Sequence, residues 1–135
     1  MPEYNARVVA RLTYHIGWAT YKRQKVLSEG ICTHLKEILA EKCLTYGIAL
    51  DEIHANSYFV YIIAQCPPKE APSKIVQIIK GASARILRVD YPHLFEPPLS
   101  ESLWEKGYYI ATSGEFDGDE LRKFLGLPPA PVRRV

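Results

Sequence analysis

The sequence predicts an α+β fold. The arrangement is a ferredoxin-like split βαβ, with an antiparallel sheet, helices on one of its faces and a short C-terminal helix. Three observations predict it. Strand-like and helix-like segments follow one another in the order β-α-β-β-α-β-α. Two segments, 28–46 and 73–88, place apolar residues at helical spacing. Between them, YFVYIIAQ (Tyr58 to Gln65) is apolar almost throughout, as suits a strand covered on both faces.

Each element follows from local chemistry. Residues 7–20, RVVARLTYHIGWAT, are rich in β-branched and aromatic types, and Arg11, Thr13 and His15 alternate with Leu12, Tyr14 and Ile16. That alternation suits a strand. Ser28 is placed to cap a helix reaching about Tyr46, with Ile31, Leu35, Ile38, Leu39 and Leu44 as its apolar positions. Gly47 stops it. Ile48 to Ile53 reads as a short strand, and Ala55, Asn56 and Ser57 as a turn. The strand 58–65 ends at Pro67 and Pro68. Ser73 is placed to cap a second helix, Lys74 to about Arg88, with a core stripe of Ile75, Val76, Ile79, Ala82 and Ile86. Residues 90–103, interrupted by prolines, read as a loop. Tyr108 to Ser113 is another strand, set between Gly107 and Gly114. Asp117 or Asp119 opens a short last helix that Pro128 and Pro129 terminate. A sheet of this kind leaves its second face open for a ligand or another subunit.

The 135 residues correspond to one domain, 1–127, followed by a flexible C-terminal tail, 128–135. Hydrophobic residues at 47% and charged residues at 24% argue against disorder. The formal charge of +2 is too small to identify a polyanion partner by bulk charge. No apolar run approaches a membrane span, and the N-terminal residues do not read as a signal peptide. The expectation is therefore a cytoplasmic protein without membrane contact. Cys32, Cys43 and Cys66 are odd in number and form no C-x-x-C, so reduced and mostly buried thiols are expected.

Basic residues cluster locally. Lys22, Arg23 and Lys25 form one group; Lys74, Lys80, Arg85 and Arg88 form a second along the next helix. Lys74 and Arg85 are eleven apart and share a helical face. Ser73 lies where free N–H groups at a helix start receive a phosphate. On charge pattern alone such groups read as a solvated helix face.

Three motifs carry a family resemblance. The first is Tyr14-His15-Ile16-Gly17-Trp18-Ala19-Thr20, followed by Lys22-Arg23-Gln24-Lys25-Val26-Leu27. The second is Cys66-Pro67-Pro68, then Ala71-Pro72-Ser73-Lys74-Ile75-Val76-Gln77, then Lys80-Gly81-Ala82-Ser83-Ala84-Arg85. The third is Leu103-Trp104-Glu105-Lys106-Gly107-Tyr108-Tyr109-Ile110-Ala111-Thr112. In this order they resemble the single-tyrosine HUH transposases of the insertion-sequence-200 type, over about residues 12–125.

The resemblance implies a specific chemistry. Such enzymes cut and rejoin single-stranded DNA at the foot of hairpins. A tyrosine on the last helix attacks a phosphate, and two histidines spaced His-hydrophobic-His on the central strand hold a divalent metal. A glutamine one turn beyond the tyrosine completes the site. Residues i and i+2 of a strand share a face, so both imidazoles reach one ion. Family members are homodimers in which two sheets merge, and a homodimer is expected here, with Tyr108–Thr112 as the edge strand.

At every catalytic position the sequence departs from that pattern. The metal histidines align with Phe59 and Tyr61, the nucleophile with Phe124 and the glutamine with Pro128. A phenyl ring neither binds a metal nor attacks phosphorus, and a neutral phenol is a poor ligand. No cofactor is expected, although the family uses a divalent metal. His54 precedes the turn before the strand and His15 lies on a different strand, so neither is read as a replacement ligand. Tyr61, Tyr108 and Tyr109 read as sheet aromatics rather than nucleophiles. Phe59 and Tyr61 either stack unpaired bases or fill the space an ion site leaves, and the second is favoured.

The expected function is DNA-transposition-related binding of single-stranded or hairpin DNA without tyrosine-mediated cleavage. The contacts would come from Lys22, Arg23, Lys25, Ser73, Lys74, Lys80 and Arg85. The alternative is a protein-interaction or structural remnant that does not bind DNA.

Overall fold

A computed structural model describes residues 12–128 apart from 69 and 98. Among these residues, four strands form one antiparallel sheet. They are β1 (Leu12–Ala19), β2 (Ala49–Ala55), β3 (Phe59–Cys66) and β4 (Tyr109–Thr112), in the order β2-β3-β1-β4. Helices α1 (Glu29–Thr45) and α2 (Pro72–Asp90) connect β1 to β2 and β3 to β4, and α3 (Gly118–Leu125) ends the described chain. This is the predicted α+β, split βαβ architecture. Residues 7–11 of the predicted first strand, and 129–135 of the predicted tail, lie outside the described residues.

The strands alternate as their sequences dictate. Tyr14, Ile16 and Trp18 of β1, with Val60, Ile62, Ala64 and Cys66 of β3, point into the core beneath α1 and α2. Thr13, His15 and Gly17 of β1, and Phe59, Tyr61, Ile63 and Gln65 of β3, point to the other face. In β3 every second residue is buried, and the rest are half-exposed. The expectation that both of its faces are covered therefore holds only for the helix side. The apolar run reflects an aromatic face that is only partly covered, since its outward residues stay half-exposed.

Helix α1 begins as expected, with the Ser28 hydroxyl accepting from the Ile31 N–H at 3.3 Å. Gly47 follows its end at a φ of 71°, the left-handed conformation of a helix stop. Its buried stripe is Ile31, Leu35, Ile38, Leu39 and Cys43. Leu44 was expected inside but is 80% exposed. The run 35, 39, 43 keeps the i+4 step, and position 44 turns about 100° further, into solvent. The same geometry corrects α2, where Leu87 is buried and Ile86 only partly so, following Ile79 and Ser83. Ser73 does not cap α2. Pro72 occupies the first turn and Ala71 the cap, without a side-chain bond, because a proline with its fixed φ is preorganised for that first position. Helix α3 is capped by Asp117, which accepts from the Asp119 N–H at 2.9 Å. It is ended by Gly126 at a φ of 76°, ahead of the prolines that were expected to stop it. The loop 90–103 contains one short 3-10 turn, Pro92–Phe95. None of the three cysteines is in a disulfide, and Cys43 and Cys66 are buried.

His34 joins the outer faces of α1 and α2. Its Nε2 meets Asp90 Oδ2 at 2.6 Å, and its Nδ1 meets Glu37 Oε1 at 3.4 Å. The hydrogen bond to Asp90, more than the one to Glu37, raises the imidazole above its ordinary 6.5. A raised folded-state value means that this stabilisation is complete below the ordinary value and fades as pH climbs through the raised one. The His34 share of the urea midpoint should thus fall from pH 6 to pH 8, and Asp90→Asn should lower the midpoint more at pH 6 than at pH 8. An equal loss at both pH values would remove His34 from the account.

Candidate functional site

The open face of the sheet carries a row of rings. Register pairs Tyr61 of β3 with His54 of β2 on one side and with Gly17 of β1 on the other. The His54 and Tyr61 rings stack with centroids 5.7 Å apart, and Tyr61 and His15 with centroids 5.9 Å apart. Phe116, from the loop after β4, lies flat on His15 at 4.0 Å. Tyr61 and His15 are also hydrogen-bonded, Oη to Nδ1, at 2.6 Å, and His15 Nε2 reaches Ser113 Oγ at 3.2 Å.

Burial sets the protonation of the bonded His15–Tyr61 pair. Desolvation lowers His15, against an opposing pull from Glu52, and raises Tyr61. The imidazole is therefore neutral near pH 7 and the phenol protonated. A Tyr61 O–H donating to Nδ1 and an Nε2–H donating to Ser113 satisfy both bonds. His54 is exposed and bonds Glu52 Oε1 at 2.8 Å.

Helix α3 lies on the same face. A Cβ on Gly17 would sit 2.8 Å from Leu121 Cδ1, the far end of a side chain, so the bare backbone at this position lets Leu121 pack against β1 in its present rotamer. Leu121 and Leu125 are buried there. Tyr58 Oη donates to the Leu125 carbonyl at 3.0 Å, and the Arg23 guanidinium donates to the Phe124 carbonyl. Both donors meet the negative end of the helix dipole. Lys22 and Arg23 adopt φ values of 52° and 51°, left-handed for two non-glycine residues, and this turn aims Arg23 at the helix end.

Between α3 and the sheet lies a cavity of about 350 Å³, lined by Phe59, Tyr61, Phe116, His54, Leu121 and Arg122 among others. Phe59 and Tyr61 thus share one face and one cavity, as their i, i+2 spacing requires. Phe124 is not brought to them; its ring lies 6.4 Å from Tyr109. Pro128 lies beyond the helix, its carbonyl accepting from Arg122 at 3.1 Å. His15, set apart in the sequence reading as a residue of another strand, is instead Tyr61's bonded neighbour, because β1 and β3 are adjacent. Phe116 and Ser113 were not singled out at all. Only the pairing of β4 with β1 carries their loop to His15. Among the described residues, no group of three or more His, Cys, Asp or Glu side chains could hold a metal ion.

The basic residues divide. Lys22, Lys25, Ser73, Lys74 and Arg85 are exposed. Lys80 is committed elsewhere: its ammonium donates to the Glu105 and Gly107 carbonyls, each at 2.9 Å, and burial lowers its pKa despite Glu105 nearby. Arg23 is tied to α3, and Arg88 donates to the Leu99 and Ser100 carbonyls. These three are structural ties before they are phosphate contacts. A groove of about 530 Å³ beside α2 joins Ser73, Gln77 and Lys80 to Lys106 and Tyr108. Lys106 was not singled out as a contact, and no spacing rule finds it, since it enters from the approach to β4.

The model of the IS200-like transposases matches residues 8–125. The chain belongs to the IS200-like transposase family. It is 30% identical over 117 residues to the ISDra2 transposase TnpA of Deinococcus radiodurans, covering 87% of this chain and 84% of that one. It is 26% identical over 103 residues to the IS200 transposase of Salmonella typhimurium, covering 76% of this chain and 67% of that one. A solved Deinococcus radiodurans transposase structure superposes with a TM-score of 0.82 at 28% identity, over 88% of this chain and 92% of that one. A REP-associated tyrosine transposase bound to a REP hairpin shares the fold, with a TM-score of 0.56 at 11% identity over 93% and 68% of the two chains. Among the described residues of this IS200-like chain, no helix is long and apolar enough to cross a membrane.

Proposed function

We propose that this IS200-like transposase relative binds single-stranded or hairpin DNA as a homodimer and does not cut it. The observation that carries the reading is the occupancy of the open face. Where the family pattern places two metal-binding histidines stand Phe59, which has no donor atom, and Tyr61, whose hydroxyl is bonded to His15. The Tyr61 ring lies between those of His54 and His15, so the two imidazoles do not converge on one point. These residues do not fit a divalent ion. At the nucleophile position, Phe124 offers no oxygen.

DNA binding is supported by the exposed Lys22, Lys25, Lys74 and Arg85, by the groove that Ser73 and Lys106 share, and by membership of a transposase family. The hairpin-bound relative shares the fold and lends the hairpin as a probe. The edge position of β4 supports a dimer built by strand pairing.

The test is a gel assay with labelled single-stranded hairpins, with and without magnesium or manganese, run native and denaturing. A native shift that weakens with salt is expected, because phosphate contacts release counterions, with no cleavage and no adduct. A denaturant-resistant adduct would overturn the loss of cleavage. No shift at low salt would overturn DNA binding and favour a protein-interaction or structural remnant.

A further inference from the structure

The geometry points to the cavity beneath α3 as a binding pocket for one unpaired nucleobase, a site whose lining includes Phe59 and Tyr61, the residues that the family resemblance aligns with the metal histidines. The inference rests on the DNA-binding reading and names which part of the DNA this face takes. Loss of an ion site invites aromatic side chains to close the space, yet here the space stays open. Phe59, Tyr61 and Phe116 remain half-exposed and line a cavity of about 350 Å³. That volume falls within the roughly 300–1,000 Å³ of small-ligand clefts.

The lining defines the chemistry of the guest. Phe59, Tyr61 and Phe116 bring three aromatic rings to the lining, Tyr61 and Phe116 within the stacked row and Phe59 outside it, and Leu121 and Leu125 form the α3 wall. Tyr61 and Phe116 are nearly parallel, 10° apart with centroids at 6.2 Å, and His15 continues the same plane direction. Such walls suit a flat ring and do not suit a bare phosphate. His54 and Arg122 supply the polar groups of the lining, where the hydrogen-bonding edge of a base needs partners. Stacking on aromatic side chains holds single strands without demanding a sequence, since every base has a π-face.

The pocket also has a defined rigidity. Tyr61 is held by His15, and α3 by Tyr58, Arg23 and the Gly17 backbone. Phe59 has its edge-to-face contact with Tyr58, at 5.2 Å. It is thus the wall residue whose truncation disturbs these ties least.

The test uses the full chain and a hairpin with a short single-stranded flank, each flank nucleotide in turn made abasic. Binding is read by fluorescence polarisation. One abasic position should weaken wild-type binding about tenfold, and Phe59→Ala should weaken intact-flank binding by a similar factor. The two losses should not multiply, because they remove one contact from its two sides. Phe59→Trp, which keeps a stacking face, should restore affinity, and circular dichroism checks that all variants fold. Equal binding of intact and abasic flanks, with Phe59→Ala unchanged, would overturn the pocket while leaving DNA binding intact. Absence of all oligonucleotide binding would overturn the DNA-binding reading. In that case adenosine at millimolar concentration still decides the pocket: shifts of the Phe59 and Phe116 ring resonances would support it, and their absence would end it.

Discussion

Trp18→Ala should lower the unfolding free energy by about 3–5 kcal/mol, as aromatic truncations in closed cores do. Trp18 is fully buried and is the largest of the fully buried side chains. It stands on the central strand β1, its ring edge-on to Trp104 at 5.9 Å, so its removal opens a space against both the sheet and the chain leading to β4. The Trp104 indole N–H is anchored, donating to the Lys80 carbonyl and to Ser83 Oγ, both at 3.1 Å, and it cannot follow freely into the gap. Domains of this size hold only about 5–15 kcal/mol in total, so the loss is a large fraction. Trp18→Phe should cost much less. The Trp18 indole N–H has no hydrogen-bond partner among the described residues, and phenylalanine removes that unsatisfied donor along with some volume. Guanidinium unfolding of the three proteins checks both statements. A loss under about 1 kcal/mol for the alanine variant would mean that the core closes over the gap, contrary to the packing described.

Gly17→Val should detach α3 while the sheet survives. The first added carbon already meets Leu121 Cδ1 at 2.8 Å, and valine's two methyl groups would press further toward Leu121 and Leu125. Overpacking of this kind costs about 1–3 kcal/mol when the neighbours must stay in place. Here they need not stay. An eight-residue helix has little stability of its own, and α3 depends on Leu121 and Leu125 for its burial. Once lifted, it also forfeits the Tyr58 bond to the Leu125 carbonyl. The expected result is loss of amide protection over 118–125, with protection retained in β1 and β3. Leu125→Ala should weaken the same segment without strain in β1. Full protection of α3 in the valine variant would show that Leu121 rotates aside and makes room for the added carbons.

The two variants mark different degrees of legibility. Trp18 sits in an alternating stretch whose period reveals the strand and its inward face. The i+4 runs of α1 and α2 were equally readable, and the errors at Leu44 and Ile86 came from choosing the wrong one of two adjacent apolar residues. Gly126 rather than the prolines stops α3, because glycine takes a positive φ without strain. Gly17 carried no such signal, since its φ is not unusual and its role exists only once α3 arrives.

From the sequence alone came the order of elements, the family, and the shared face of Phe59 and Tyr61. These follow from residue identity and from spacing within one element, where the chain's own geometry sets who shares a face. The tertiary structure decided what lies between elements. It placed His15 against Tyr61 and Phe116 over His15, withdrew Lys80, Arg23 and Arg88 into backbone contacts, added Lys106 to the groove, and left a cavity open under α3. Each of these joins residues remote in the chain through strand register or helix docking, and nothing in a local period determines which remote partner a side chain meets.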